Sequence, residues 1–415
     1  MNDLRSEIRA AFEKEQAMYP PRLPLNLTLS PEGAREDREG RGRTQWVAAV
    51  AALVIGALVV IGLMSTRLSH RPAVPAATPH ATASPVGDYG PPPAGVPLFY
   101  LGDAAHPGWY IGFDWNGTPR GTIKLGQTVD PNAYLIAAPD GQMFDVGPVA
   151  KGGSGQFLDR LGNPTSTVPP GPMLIWADDN KHMCGVAWDQ NQYTWTLVTD
   201  APGEAQRAVT LIARDQGVGQ TGISLLACSF KNDRAVALRT TVAWPAELWV
   251  IRLSDGKLIS HTTYTNGKAL LNVVGSPDGT LAAENSGQST GGLGPFATST
   301  VVRRLSDGSV VASLDPSMGV LGFSADNSLV LVNTTPGGGR GFDHIAVVEV
   351  KSGKVLWHFD GANEALRGFY TEPTGAAFAL MIQNTLDPTS HPQVRVVVVF
   401  ADGQSAGIPG TFVHP

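Results

Sequence analysis

Residues 252–259 read RLSDGKLI and residues 304–311 read RLSDGSVV, so the same tetrapeptide, a glycine and an apolar run return after 52 residues. Similar turn signals stand at Ser352-Gly353 and Asp402-Gly403. An Asp-Gly pair between alternating apolar runs indicates a β-hairpin, and a two-residue type I′ turn there needs positive φ at both central residues. The repeat therefore predicts a series of antiparallel hairpins.

A second set of turns interleaves with the first, as at Asp278-Gly279 and Asp326-Asn327. Two hairpins in each period of about 45–50 residues give four antiparallel strands per unit, which is the blade of a β-propeller. Dividing residues 97–415 by this period predicts seven blades, with six as the alternative. The expected fold class is an all-β, seven-bladed propeller, preceded by a single transmembrane helix and a short cytoplasmic helix.

Three stretches carry a family resemblance. GSPDGTLAA (275–283) and GFSADNSLVLV (322–332) resemble the inner hairpin of bacterial WD-repeat and TolB-like propellers. VKSGKVLWHFDG (350–361) is similar to the outer hairpin of quinoprotein-type repeats. No Trp-Asp pair ends each unit and only one unit carries GKVLW, so the resemblance implies a fold and neither quinone binding nor any other activity.

The composition agrees with a turn-rich β protein. The chain has 48 glycines and 32 prolines among 415 residues, while charged residues make up only 16%. Such values suit many short, half-buried strands better than helices. A net charge of −6 gives no support for a nucleic-acid partner.

Residues 46–64 form a run of 19 residues without a charge or a proline. A helix of that length spans roughly 28 Å at about 1.5 Å per residue, close to the hydrocarbon core of a bilayer. Arginines are more frequent before this run than after it, which places the N-terminus in the cytoplasm. The sequence thus predicts a single-pass protein of the plasma membrane in contact with the lipid bilayer. A cleaved signal peptide is the alternative.

The segments around this run have distinct characters. Residues 1–45 are predicted to be cytoplasmic, with an amphipathic helix at about 3–18 and disorder over 22–45. Residues 65–96 are rich in proline and alanine and are expected to form an extended linker before the extracytoplasmic propeller. The candidate partner-binding face of the cytoplasmic helix has i, i+4, i+8 spacing and consists of Leu4, Ile8 and Phe12.

No arrangement of residues in the sequence indicates an enzyme site. GQSTG (287–291) matches the pattern of a nucleophile elbow, but no helix is predicted after it. PGGGRG (336–341) precedes a strand, whereas a phosphate loop precedes a helix. We therefore predict no catalytic, metal-binding or cofactor-binding residue. The two glycine-rich loops are candidate contact surfaces because propeller loops carry binding sites; their candidate residues are Gly291, Gly292, Gly337, Gly338 and Arg340.

The two cysteines, Cys184 and Cys228, lie four or five residues from equivalent turns of consecutive predicted blades. They should therefore lie at similar heights on neighbouring sheets. A disulfide is permitted outside the cytoplasm, and two free buried thiols are the alternative.

These features together favour a membrane-anchored binding, sensing or protein-interaction module, able to transmit to a cytoplasmic protein partner. A structural scaffold of the cell envelope is an alternative. A propeller hydrolase or lyase acting on glycans or peptides is another, with less support because no catalytic group is visible.

Overall fold

The computed structural model describes residues 87–125, 135–147, 155–168, 174–212, 221–241, 246–264, 269–289, 295–334, 344–361, 363–385 and 393–413. These residues form 27 β-strands and no helix. Within the same ranges nothing has the length and apolarity of a membrane-spanning helix. The segments predicted to be helical, residues 3–18 and 46–64, lie outside the described residues.

Five four-stranded antiparallel sheets follow one another along the chain, and each runs from its first strand at one edge to its last strand at the other. The first is β4 (Leu135–Ala137), β5 (Met143–Val146), β6 (Gly155–Asp159) and β7 (Pro164–Val168). The second is β8 (Ile175–Trp176), β9 (Met183–Asp189), β10 (Thr194–Asp200) and β11 (Arg207–Ile212). The third is β12 (Thr221–Ser229), β13 (Arg234–Thr241), β14 (Ala246–Arg252) and β15 (Leu258–Tyr264). The fourth is β16 (Ala269–Gly275), β17 (Leu281–Ser289), β18 (Pro295–Arg304) and β19 (Val310–Leu314), and the fifth is β20 (Gly319–Phe323), β21 (Leu329–Asn333), β22 (His344–Glu349) and β23 (Val355–Asp360).

The two ends of the propeller domain form one further sheet of seven strands in the order β24-β25-β26-β27-β1-β2-β3. The register pairs Gly102 with Val413 and Asp103 with Phe412, which joins β27 to β1. The strands are β24 (Glu364–Thr371), β25 (Phe378–Asn384), β26 (Gln393–Val399), β27 (Ser405–Val413), β1 (Phe99–Asp103), β2 (Trp109–Phe113) and β3 (Pro119–Lys124).

The prediction of an all-β propeller built from four-stranded units is confirmed, but the predicted number of blades is wrong. The described residues contain five four-stranded blades, neither seven nor six. The discrepancy has a physical origin in β27, which bonds to β26 and β1 together and merges the terminal strands into one continuous sheet. Division of length by period had counted each terminal segment as a separate blade.

The end of the predicted linker contacts the seven-stranded sheet before the predicted domain boundary at residue 97. The amide of Tyr89 donates to Thr122 Oγ1 at 3.1 Å, and the amide of Thr122 donates to the carbonyl of Gly90 at 2.7 Å. These bonds fasten residues 89 and 90 to β3.

Strand β1 packs against apolar side chains on both of its faces. On β1, Phe99 and Leu101 pack with residues of β24–β27 such as Val396. The alternate residues Leu98 and Tyr100 pack against Phe144 and its neighbours in the sheet β4–β7. A strand in this position is buried on both faces, and its residues alternate between two cores.

The RLSDG segments form outer turns of two neighbouring blades, as predicted, but they are longer than two-residue type I′ turns. The amide of Arg252 donates to the carbonyl of Lys257, and the amide of Gly256 donates to the carbonyl of Arg252, both at 2.8 Å. Gly256 and Gly308 have φ of +70° and +72° while the preceding aspartates are not left-handed. Asp255 Oδ1 instead accepts the amide of Lys257 at 3.1 Å. The aspartates therefore stabilise the loops and the glycines supply the one left-handed residue each loop needs.

The two turn glycines differ in what surrounds them. A β-carbon on Gly256 would lie 1.9 Å from Val209 Cγ1 of the preceding blade, whereas one on Gly308 meets nothing within 4 Å. Gly308→Ala should cost about 1–2 kcal/mol of unfolding free energy, the usual penalty of a left-handed alanine. Gly256→Ala should cost about 1–3 kcal/mol more, because Val209 must also move.

Urea unfolding of the two variants measures this difference, and Gly308→Ala serves as the matched control for backbone strain. Equal losses would show that the contact between the Gly256 turn and Val209 contributes nothing to stability.

Candidate functional site

A groove of about 300 Å³ opens between the second and third blades. One wall is the end of β10 and the turn leading to β11, and the other is formed by turns of the third blade. Its polar and charged lining residues are His182, Thr199, Asp200, Glu204, Arg207, Asp233 and Ser254. Its apolar lining residues are Ala201, Ala205, Phe230 and Leu253.

The first wall is held by a charge network around His182. His182 Nδ1 lies 2.5 Å from Asp179 Oδ2, and His182 Nε2 lies 3.6 Å from Glu204 Oε2. Lys181 forms an ion pair with Glu204, and that hydrogen bond lowers the pKa of Glu204 and raises the pKa of Lys181. Burial acts to raise the pKa of Asp179, but hydrogen bonds from His182 and Lys181 outweigh it, so the pKa of Asp179 is lowered.

The two walls meet in a ring contact and in hydrogen bonds. The rings of His182 and Phe230 stack with centroids 3.9 Å apart and planes 7° from parallel. Arg207 donates from Nη2 to the carbonyl of Ser254. Ser254 in turn donates its amide and its hydroxyl to Asp233, at 2.7 and 2.6 Å. The groove is therefore preorganised by contacts across both blades.

This arrangement is suited to binding rather than to covalent catalysis. The hydroxyl of Ser254 is directed at the carboxylate of Asp233, and His182 interacts with two other carboxylates. A nucleophile needs its base within hydrogen-bond reach, and these two residues are not paired in that way. Among the described residues no group of three or more His, Cys, Asp or Glu side chains is placed to hold a metal ion.

A disulfide lies beneath the groove. Cys184 of β9 and Cys228 of β12 are joined in the structure, with Cα atoms 6.3 Å apart. Both are buried in an apolar cluster that also contains Leu253, one of the lining residues. The bond thus links the two blades that supply the walls of the groove.

The oxidation state of the cysteines can be measured directly. We expect the unreduced, unfolded chain to show no alkylated cysteine by mass spectrometry and two after reduction. Replacing both cysteines by serine should lower the free energy of unfolding by about 2–4 kcal/mol, because the bond closes a loop with a sequence separation of 44. Two labelled thiols before reduction would contradict the disulfide.

Two buried carboxyl groups interact between the first and second blades, and one of them belongs to Asp200, which also lines the groove. Asp145 is opposite Phe157 in its sheet and Asp200 is opposite Met183, and both of these apolar residues belong to the cluster between the first and second blades. Each aspartate is about one-twentieth exposed, and one oxygen of each has no hydrogen-bond partner. Burial and, second, the charge of Asp200 raise the pKa of Asp145 to about 6. Burial also raises the pKa of Asp200.

These shifts predict an unusual dependence of stability on pH. The unfolded chain releases the Asp145 proton near its ordinary pKa of 3.8, whereas the folded chain holds it up to about 6. Folding therefore takes up a proton between these values, and stability from this group falls as pH rises from about 4 to 6. Asp145→Asn should raise the free energy of unfolding at pH 7 by about 2 kcal/mol and change it little at pH 4.

Asp159→Asn, in the same blade as Asp145, is a control for which the expected change in stability at pH 7 has the opposite sign. Despite an opposing effect of burial, hydrogen bonds from Asn163 and Leu161 lower the pKa of Asp159. That variant should lose stability at pH 7, and the loss should disappear in acid. A destabilised Asp145→Asn at pH 7 would argue that the carboxylate has a favourable partner.

The sequence-predicted contact residues Gly291, Gly292, Gly337, Gly338 and Arg340 lie outside the described residues, as do Leu4, Ile8 and Phe12. Of GQSTG, residues 287–289 belong to β17, so this part of the motif lies in a strand. The groove is not evident from the sequence, because each of the polar residues that line it belongs to an ordinary turn or strand end. The one feature that these residues share in the sequence is that they lie beside equivalent turns of consecutive blades.

Comparison with known proteins adds little beyond the fold. Neither a protein-family model nor a curated protein matches the sequence. The β-propeller domain of Cps50 (Swd1) from Myceliophteria thermophila is 13% identical, with 68% of this chain and 89% of that chain covered and a TM-score of 0.44. The complex of KlAtg21 with the coiled-coil of AgAtg16 is 14% identical, with 77% of this chain and 98% of that chain covered and a TM-score of 0.48. Kuenenia stuttgartiensis hydrazine synthase is 12% identical, with 72% of this chain and 90% of that chain covered and a TM-score of 0.45.

The described part of the chain is a β-propeller. That assignment is carried by its strand order and register. With identities of 12–14% and TM-scores below 0.5, the solved structures carry no conclusion about this chain, and their partners and reactions are their own.

Proposed function

We propose that this chain is a protein-interaction module that binds a partner through the groove between its second and third blades. The proposal is carried by one observation: the groove is open at the surface while Glu204, Arg207 and Asp233 of its lining already have hydrogen-bond or ion-pair partners within the two blades. Glu204 and Lys181 have side chains about half exposed, and they interact with each other and with the His182 network. Such a site offers a rigid, preorganised surface, which reduces the entropy lost on binding.

The size of the groove sets the scale of what it binds. A volume of about 300 Å³ is at the lower end of small-molecule pockets. It accommodates one or two side chains of a partner, with Phe230 and Leu253 as apolar contacts and Arg207 and Glu204 at its rim. An anchor side chain in a small, well-packed pocket is the usual energetic centre of a protein–protein interface.

Location and signalling complete the proposal. Residues 46–64 have the length and apolarity of a membrane anchor, and the arginines before them favour a cytoplasmic N-terminus. The propeller then lies on the outer side of the plasma membrane, where it senses or binds its partner. Residues 1–45 provide a cytoplasmic segment for a second protein.

The proposal can be tested with a photo-crosslinking amino acid in the full chain. Ala205 is exposed and lines the groove, and Thr167 is an exposed control on β7 of the first blade. Irradiation of intact cells should give an adduct with one partner protein at Ala205 and none at Thr167. Protease added to the same intact cells should remove the adduct, because the propeller is outside.

Three results would overturn parts of this proposal. Equal adducts at the two positions, or none at either, would remove the groove as a binding site. An adduct at Ala205 that resists protease in intact cells and is degraded after lysis would contradict the extracytoplasmic location.

A further inference from the structure

The outer strands of three consecutive blades expose aliphatic side chains at the same position. Strands β15, β19 and β23 each begin directly after an outer turn, and their first residues are unusually exposed for their type. The exposed residues are Leu258 (49%), Ile259 (42%), Val310 (52%), Val311 (38%) and Val355 (41%). We call these five residues the aliphatic rim.

The fold itself does not require aliphatic residues there. The equivalent first two residues of other outer strands are Pro164 and Thr165 on β7, Arg207 and Ala208 on β11, and Ser405 and Ala406 on β27. Like β15, β19 and β23, strands β7 and β11 are the last strands of their sheets and pair with one neighbour, whereas β27 pairs with both β26 and β1. Several exposed aliphatic residues on neighbouring elements, in contrast to single ones, are a mark of an interaction surface.

The turns beside the aliphatic rim carry an excess of positive charge although the whole chain has a net charge of −6. Residues 252–257, 304–309 and 349–354 hold five cationic side chains and three acidic ones. The cationic residues are Arg252, Lys257, Arg304, Lys351 and Lys354, and the acidic ones are Asp255, Asp307 and Glu349. The Lys257 side chain is 76% exposed.

Asp255 and Asp307 already have ion-pair or hydrogen-bond partners within their own turns. Asp255 Oδ2 lies 3.2 Å from Arg252 and 3.3 Å from Lys257, and its Oδ1 accepts a backbone amide. Asp307 accepts the amide and hydroxyl of Ser309 at 2.9 and 2.7 Å. The ion pairs also engage Arg252 and Lys257, but five cationic and three acidic side chains leave the set with a net charge of +2, and Lys351 and Lys354 are exposed.

The strands also have an open edge. In the described residues β15, β19 and β23 are the last strands of their sheets, and each pairs with a single neighbour. Such an edge presents backbone N–H and C=O groups to an added strand.

We infer that the aliphatic rim is a second docking surface, which binds an extended segment of a partner protein with alternating aliphatic and acidic residues. The aliphatic residues contact the rim, the acidic residues contact Lys257 and Lys354, and the backbone adds to an open sheet edge. A second copy of this chain is a poorer occupant, since rim-to-rim contact brings cationic turns together. The inference shares with the proposed function only the idea of a protein partner.

The test uses the full chain in nanodiscs and two labelled synthetic peptides of ten residues, one alternating valine and glutamate and one alternating valine and lysine. Fluorescence anisotropy should show at least about tenfold tighter binding of the glutamate peptide. Val310→Asp should weaken that binding by about tenfold or more, whereas Leu161→Asp, at an exposed apolar residue on the first blade, should leave it unchanged.

Charge reversal provides a second variant that leaves the apolar residues in place. Lys257→Glu combined with Lys354→Glu should reverse the preference, so that the lysine peptide binds more tightly. Equal binding of both peptides, absence of binding, or indifference to Val310→Asp would overturn the inference. A concentration-dependent dimer abolished by Val310→Asp would also overturn it and assign the surface to a second copy.

The two binding surfaces fail independently in these experiments. Arg207→Ala changes the groove and should leave peptide binding at the aliphatic rim unchanged. Crosslinking at Ala205 in the Val310→Asp variant should proceed as in the unmodified chain if the groove binds its own partner.

Discussion

The arrangement of the sheets depends on the hydrogen bonds between β1 and β27, which join residues 102–103 to residues 412–413. Each sheet of a propeller buries its faces only against its neighbours, so an unclosed ring leaves two apolar faces in water. The close approach needs Gly102, where a β-carbon would lie 2.5 Å from Val413 Cγ2. Phe99 and Phe412 then belong to the same buried cluster. A contact between the first and last strands thereby completes a buried cluster formed by residues of the two terminal segments.

This long-range contact explains what sequence reasoning recovers and what it misses. The turns are local: an aspartate that accepts amides of its own loop and a glycine with positive φ are readable in RLSDG. The alternation of buried and partly exposed residues along a strand such as β14 is also local. The joining of β27 to β1 is set by residues more than 300 positions apart, and no local pattern marks it. The number of separate blades was therefore the part of the fold that period counting could not supply.

The groove, like the sheet that joins the two ends of the chain, depends on contacts between residues that are far apart in the sequence. Asp233 has a left-handed backbone because of its own turn, and its carboxylate also holds Ser254 of the next turn. Glu204 ends a turn of the preceding blade, and it reaches His182 through three-dimensional packing. A residue that first appears to serve only a loop thus acquires a second partner once the turns of its own blade are adjacent. Sequence spacing predicts which residues lie at equivalent heights, as for Cys184 and Cys228, but it does not predict which side chains face each other across the gap.

The turn aspartates also determine the electrostatics of the propeller surface. Hydrogen bonds from Lys257 lower the pKa of Asp255, and those from Ser309 lower the pKa of Asp307, so both are ionised at neutral pH. Their charge is nevertheless directed at amides and guanidinium groups within the same loop. Lys351 and Lys354 are exposed, whereas Lys257 lies 3.3 Å from Asp255 Oδ2. An exposed charge is felt over about 10 Å at ordinary ionic strength. Although the chain is acidic in total, the outer turns at 252–257 and 349–354 each carry a net charge of +1, while the turn at 304–309 is neutral.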